Sequence, residues 1–304
     1  QSFSETAAAL ESALESSSFQ VHGSHDVRGP DANQKAKIFV LTSPAYTSAA
    51  AAEPARTISA QILRVAVYTQ GDEQKTYVNM ANPVAHAMVF YARSDNYDGL
   101  VGAARGVADG IRQLVAKLPG TALSKQQKPM RSEKHYRKYK GDGPARMMAK
   151  FRNFEKSQLK IDVDSDEGFD ATVDAVVAAL SSGEASTTSQ PGGWEVIARV
   201  GLRDDAVYIG ITNPYIEDKM VRINSRFRGD SKSDLSPYPG VDHVTALPTE
   251  VLVIKDGDET RVLHYGQMWR MQLYFWDSGY RAFTANVGVP GKIAKSIEAA
   301  VEGG

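Results

Sequence analysis

The chain has 304 residues, of which 42% are hydrophobic and 23% charged, values typical of a globular protein with room for two modest domains. Its 35 Lys and Arg balance 36 Asp and Glu, which argues against nucleic-acid binding by the chain as a whole. The absence of cysteine excludes disulfides, Cys-ligated zinc, iron–sulfur clusters, thiol nucleophiles and covalently attached c-type haem. No run reaches the roughly 18 apolar residues of a membrane-spanning helix, so we expect no membrane span.

The first residue is Gln1 rather than Met. We therefore expect an exported protein, periplasmic or secreted, whose signal peptide has been removed before Gln1. A shortened sequence would begin in the same way, and the lack of cysteine fits either compartment.

The first half of the chain is predicted to combine helices and strands. Ser4 is a candidate cap for a helix at residues 4–19, because apolar residues follow at near-helical spacing. The elements expected after it are an edge strand at 19–27, a buried strand at 37–42, an Ala-rich helix at 48–60 limited by Pro54, strands at 63–68 and 76–80 with a turn at Gly71-Asp72, and a closing helix at 99–117.

The second half is predicted to repeat this order of elements. The expected elements are a helix at 169–180, strands at 194–200 and 206–212, a hairpin of strands 249–254 and 261–265 around Gly257-Asp258, and a final helix at 287–301.

Three stretches of the first half align without gaps to three stretches of the second half, in the same order. The aligned pairs are RVAVYTQGDEQKTYV (64–78) with EVLVIKDGDETRVLH (250–264), IFVLTSP (38–44) with YIGITNP (208–214), and GVADGIRQLV (106–115) with GVPGKIAKSI (288–297). One such match can arise by chance, but three in one order indicate a tandem duplication.

A basic segment separates the two halves. Residues 121–160 hold twelve Lys and Arg against three acidic residues, a net charge of +9, which leaves −10 for the rest of the chain. We expect a first module at 1–120, this basic linker, and a second module at 161–304 with an insertion at about 225–245. The linker is either a solvated connector that neutralises its own molecule or a dock for an acidic protein or anionic surface.

The paired strands resemble a known family. Each half looks like the domain of unknown function 302, through SFSETAAALESALESSSFQV, IFVLTSP and ILRVAVYTQGDEQKTYVNMANP in the first half and FDATVDAVVAAL, VYIGITNP and LPTEVLVIKDGDETRVL in the second. The resemblance implies an α+β fold of two repeated modules, each a curved antiparallel sheet backed by helices, similar to the TATA-binding protein. It implies no catalytic residues.

Catalytic signatures are missing from the sequence, which has no Walker A loop, G-x-G-x-x-G, H-E-x-x-H or G-x-S-x-G. We therefore expect a non-catalytic binding or accessory protein rather than an enzyme, with its ligand or partner in a groove between the modules. The candidate lining residues are Pro44, Tyr46, Pro214, Tyr215 and Trp269. A structural subunit that docks in a larger complex through the basic linker is an alternative.

Histidine, methionine and aromatic residues follow each hairpin, a composition that suits either a duplicated core or a non-covalent haem pocket for electron transfer. The candidate cofactor residues are His86, Met88, His264, Met268 and Met271. The ungapped alignment places His86 opposite Gln272, so the two halves would not bind a haem in the same way.

No metal site is predicted. His22 and His25 would converge on an ion only if Gly23 bent their strand. The acidic run from Asp162 to Asp166 lacks the glycine and the final glutamate of a calcium loop.

Overall fold

The computed structural model describes residues 1–28, 35–70, 75–120, 133–137, 151–163, 167–183, 187, 189–223, 240–275 and 278–303. The predicted Gly71-Asp72 turn, most of the basic linker and most of the 225–245 insertion lie outside the described residues.

The first half begins with helix α1 and continues through one antiparallel sheet. Its elements are α1 (Phe3–Glu15), β1 (Gln20–Val27), β2 (Ala36–Thr42), α2 (Pro44–Ala49), the 3-10 helix η1 (Ala55–Gln61), β3 (Leu63–Gln70), β4 (Lys75–Met80), α3 (Pro83–Phe90) and α4 (Tyr97–Val115). The strands pair in the order β1-β2-β3-β4, and β1 lies at an edge as predicted.

After two short helices and one strand that have no counterpart in the first half, the second half has the same order of elements, with one additional helix before the last. The elements after α4 are α5 (Glu133–Arg137), η2 (Phe151–Ser157), β5 (Gln158–Ile161), α6 (Phe169–Ser181), β6 (Glu195–Arg203), β7 (Ala206–Thr212), α7 (Pro214–Arg222), η3 (Gly240–Ala246), β8 (Thr249–Asp256), β9 (Glu259–Tyr265), α8 (Gln267–Phe275), α9 (Gly279–Asn286) and α10 (Val289–Glu302). The strands pair in the order β5-β9-β8-β7-β6.

The predicted α+β class is confirmed, with one antiparallel sheet of four strands and one of five. Alternate residues of each central strand face the helices of their own half. In the first sheet these are Phe39 and Val65, which share a core with Leu10 of α1. In the second sheet Ile209 and Val251 fill the same role against α6 and α10.

The structure corrects two helix predictions. The cap of α1 is Ser2 rather than Ser4, because the Ser2 hydroxyl accepts from the Glu5 amide while the Glu5 carboxylate accepts from the Ser2 amide. The Ala-rich stretch 48–60 is not one helix: α2 begins earlier, at Pro44, and η1 follows Pro54. Proline at each start is consistent with its tolerance in the first helical turn.

Strand β5 was not predicted. It lies at the end of the predicted basic linker and pairs with β9, so this part of the linker belongs to the second sheet. None of the helices in the described part of the chain is long and apolar enough to cross a membrane.

Candidate functional site

The two halves contact each other through reciprocal elements. Helix η1 of the first half packs against β7 and β8, and η3 of the second half packs against β2 and β3. Reciprocal contacts of this kind are characteristic of an interface with twofold symmetry. The halves are therefore arranged as a pseudo-dimer within one chain.

Strands β1 and β6 approach each other at matching bulges. The pairing of β1 with β2 shifts between Val21 and Gly23, and the pairing of β6 with β7 shifts between Val196 and Ala198. A Cβ added to Gly23 would lie 2.0 Å from the carbonyl oxygen of Ile197. Only glycine allows this close approach of the two backbones.

A buried charged cluster lies at the centre of the contact. Arg64 of β3 donates through Nη2 to Glu250 of β8, and Arg270 of α8 donates through Nε to the same carboxylate at 2.5 Å. The Arg64 side chain is 0% exposed and the Glu250 side chain 3%. The hydroxyls of Tyr208 and Tyr274 accept from Arg64 as well. One carboxylate thus binds two guanidinium groups from different halves.

The protonation states of the cluster follow from burial and neighbouring charges. Burial alone would raise the pKa of Glu250, but the charges of Arg270 and Arg64 outweigh it and lower this pKa. His86, whose ring centroid lies 5.5 Å from that of Tyr274, has its pKa lowered to about 3 by burial and by Arg64. Burial raises the pKa of Tyr274 to about 12. At neutral pH the cluster therefore contains two cations and one anion.

The cluster is assembled from corresponding positions of the two halves. Arg64 and Glu250 are aligned residues that bind each other. His86 corresponds to Arg270, and the predicted correspondence with Gln272 is wrong: His86 is the fourth residue of α3 and Arg270 the fourth residue of α8. The ungapped alignment fails there because four residues join β3 to β4, whereas two join β8 to β9.

A second contact between the halves lies at the end of β1. Arg28 donates from its backbone nitrogen (2.7 Å) and its Nε (3.0 Å) to Glu217 of α7, which is fully buried. His25 Nε2 and the Thr212 hydroxyl lie 2.8 Å from the same carboxylate. Burial opposes ionisation of Glu217, but the hydrogen bonds from His25 and Arg28 outweigh it and lower the pKa.

The corresponding end of β6 makes the reciprocal contact. Arg203 pairs with Asp205 through Nε at 2.7 Å, and its Nη1 donates to the backbone carbonyls of Ala51 and Glu53 in the first half. An arginine at the end of β1 therefore binds the region around α7, and an arginine at the end of β6 binds the region around α2.

An open groove of about 520 Å³ lies beside this arginine, at one edge of the contact. Pro54, Ala55 and Arg56 of the first half line one wall, and residues of η2, β5 and the β6–β9 strands line the rest. The charged lining residues are Arg56, Glu155, Lys160, Arg203, Asp205, Lys255, Asp256 and Arg261. With five cations and three anions, this junction groove has an excess of positive charge.

Comparison with protein-family models, curated proteins and solved structures found no match. The resemblance to the domain of unknown function 302 stays a prediction, and function is inferred from the geometry alone.

The structure places the predicted ligand residues in separate surroundings. Tyr46 is buried in the core of the first half and lines an open groove of about 630 Å³ between α2 and α4. Pro44 is exposed beside it, and Pro214 is half-buried at the start of α7. Tyr215 belongs to the core around α6 and α10, and Trp269 packs on Phe90 with ring centroids 5.7 Å apart.

The predicted cofactor residues also lie apart. His86 and Met88 are buried on α3, with His86 against the central cluster. His264 of β9 binds Glu298 of α10 at 3.1 Å, on the helix-covered face of the second sheet. Met268 and Met271 are half-buried on α8. The two histidines therefore lie in different layers of the molecule, and haem binding stays a prediction that an absorbance spectrum would test.

The two histidines of β1 contact residues of different halves. His22 Nε2 lies 2.8 Å from the Thr42 hydroxyl of its own sheet, whereas His25 reaches Glu217 of the other half. Among the described residues, no group of three or more His, Asp or Glu is placed to hold a metal ion. Asp164 and Asp166 lie outside the described residues.

Sequence reasoning missed the charged residues that join the halves. Arg64 and Glu250 each stand at the start of an otherwise apolar strand run, VAVY or VLVI, and they align with each other in the repeat. A charge in such a run is a signal for a buried pair, because an unpaired buried charge is too costly.

Proposed function

We propose that this chain is a non-catalytic binding or accessory protein that holds a polar ligand of net negative charge in the junction groove. The observation that carries the proposal is that both halves line this groove. A volume of about 520 Å³ falls in the range of small-molecule sites, roughly 300–1,000 Å³.

The charge distribution of the groove supports an anionic ligand. Arg203 and Arg261 are already paired, with Asp205 and with Asp256 and Glu259 respectively. Arg56 is exposed in the wall, and so is Lys160, whose ion pair with Asp162 (3.6 Å) is solvent-exposed and leaves its charge accessible to a ligand. Two accessible cations on opposite halves favour a ligand that bridges η1 and β5.

A binding role is consistent with the positions of the buried titratable groups. Glu250, His86 and Glu217, whose pKa values are lowered, lie in the contacts between the halves and are held there by arginine or aromatic neighbours. They fix the relative position of the two modules, and this rigidity preserves the shape of the groove.

A tandem duplication accounts for the arrangement. The halves share their order of elements, the position of the bulge in the first sheet strand and the reciprocal packing of η1 and η3. A site at the junction of two related modules then arises from their association, without a specialised loop in either module.

The test is a thermal-shift screen with small polar metabolites sorted by charge: phosphorylated sugars, dicarboxylates, neutral amino acids and polyamines. We expect a saturable rise of the melting temperature with anionic compounds only. Charge reversal by Lys160→Glu is expected to weaken binding of the hit by roughly tenfold or more, a loss of about 1.4 kcal/mol.

The matched control is Lys295→Glu, at an exposed position of α10 away from the groove, which is expected to bind like the natural chain. The recovered compound is expected to be unchanged by mass spectrometry. A screen without an anionic hit, or a hit that Lys160→Glu binds as tightly as the natural chain, would contradict the proposed site.

A further inference from the structure

A second, smaller cavity lies within the second half, between α7, α8 and α10. Its volume is about 40 Å³, whereas roughly 10–15 Å³ on the same scale holds one water molecule, so there is room for a ligand of a few heavy atoms. The wall is mainly apolar, with Met220, Met271, Phe275 and Ile293 prominent in it, and its polar members are Lys219, Gln267, Arg270 and Asn286. Taken by themselves, these apolar side chains would favour a purely apolar ligand.

The wall also contains a buried cation. Arg270 lines the cavity although the residue is only 2% exposed. Its Nε is bound to Glu250, and its Nη2 donates to the carbonyls of Ala246 and Pro248. Among the described residues, no group accepts a hydrogen bond from Nη1. Nη1 is also not completely enclosed by protein atoms. Nη1 is therefore the nitrogen of Arg270 that can still donate to a ligand.

The net charge of the central cluster also favours an anionic ligand in the cavity. Arg64 and Arg270 carry two positive charges, and Glu250 carries the single negative charge that binds them. His86 is neutral at pH 7, since its pKa is about 3, and Tyr274 is neutral because its pKa is about 12. A buried excess charge costs several kcal/mol unless a counter-charge lies beside it.

We propose that the cavity binds a short aliphatic monocarboxylate, of the size of acetate or propionate. Its carboxylate accepts from Nη1 of Arg270 and balances the cluster, and its alkyl group packs against Met271 and Phe275. The site is distinct from the junction groove, and its ligand is smaller and partly apolar.

The test measures the melting temperature of the full chain against sodium propionate, with sodium chloride at equal ionic strength as the reference. We expect a saturable rise with propionate and none with chloride, since a ligand that binds only the folded state raises stability with its concentration. Line broadening of the propionate ¹³C signal on addition of protein gives a direct second measurement.

Two variants locate the ligand. Met271→Trp fills the cavity and is expected to abolish the propionate shift, whereas Met268→Trp, the same change on the same helix at a position outside the cavity wall, is expected to retain it. Arg270→Met is expected to abolish the shift and leaves Arg64 and Glu250 as a balanced pair. If Arg270→Met does not fold, the tryptophan pair still decides the question.

A propionate shift that is absent from the natural chain or equal in Met271→Trp overturns the proposal. An equal shift with chloride overturns the assignment to a carboxylate. Lys160→Glu is expected to keep the propionate shift, so failure of the junction groove and failure of this cavity are distinguishable.

Discussion

Removal of the charge of Glu250 is expected to destabilise the whole molecule. The carboxylate accepts from Arg64 and, at 2.5 Å, from Arg270, and it is 3% exposed. Glu250→Gln keeps the shape but leaves two buried guanidinium groups without an anion. Breaking a buried ion pair from one side costs about 3–5 kcal/mol, which for a chain of 304 residues corresponds to a decrease of the melting temperature by roughly 5–8 °C.

The assay is urea unfolding of the full chain, monitored by fluorescence and by circular dichroism. Glu298→Gln is the matched control, because Glu298 also binds one buried side chain, His264, but is itself 35% exposed. Its expected cost is below about 1 kcal/mol. If Glu250→Gln costs no more than Glu298→Gln, the cluster does not hold the halves together and the reasoning is refuted.

Two further predictions concern pH and the close approach of the halves. Because the pKa of His86 is about 3 in the folded chain and near 6.5 when unfolded, its stability contribution is complete above pH 6.5 and declines as the pH falls toward 3, by at most about 1.4 kcal/mol per unit. His86→Asn is expected to flatten the stability profile between pH 7 and 5 in urea titrations; equal slopes for His86→Asn and the natural chain would contradict this. Gly23→Ala is expected to lower the free energy of unfolding by at least about 1–3 kcal/mol, because its Cβ would lie 2.0 Å from the Ile197 carbonyl oxygen. The control Gly102→Ala places its Cβ in open space on α4 and is expected to raise the free energy of unfolding by about 0.5–1 kcal/mol. A neutral Gly23→Ala would disprove the close contact.

Much of the fold could be predicted from periodicity alone. Strands β2 and β7 are apolar runs that a proline ends, and α4 has a regular apolar stripe, so their positions were predicted within about two residues. Strand β5 was missed because QLKI is short and half polar, and its pairing with β9 is a contact more than a hundred residues away in the chain. Local pattern does not contain that information.

The residues of the site were harder to predict than the elements that carry them. Tyr46, Tyr215 and Trp269 were predicted to line a groove between the modules; all three are buried in the cores, and Tyr46 also borders the groove between α2 and α4. The correspondence of His86 with Arg270 depended on the lengths of two hairpin connections, which an ungapped alignment treats as equal. The tandem duplication stays a prediction from the sequence, whereas the contacts between the halves required coordinates.

The pairing of Arg64 with Glu250 has a consequence for the history of the molecule. In a homodimer of identical subunits, a side chain on the symmetry axis meets its own copy, and an arginine there would face another arginine. In the tandem duplication that the sequence predicts, this constraint is removed, because each copy can mutate alone. Opposite charges at equivalent positions are thus an asymmetry that two identical subunits cannot have, and they commit each half to the other rather than to itself.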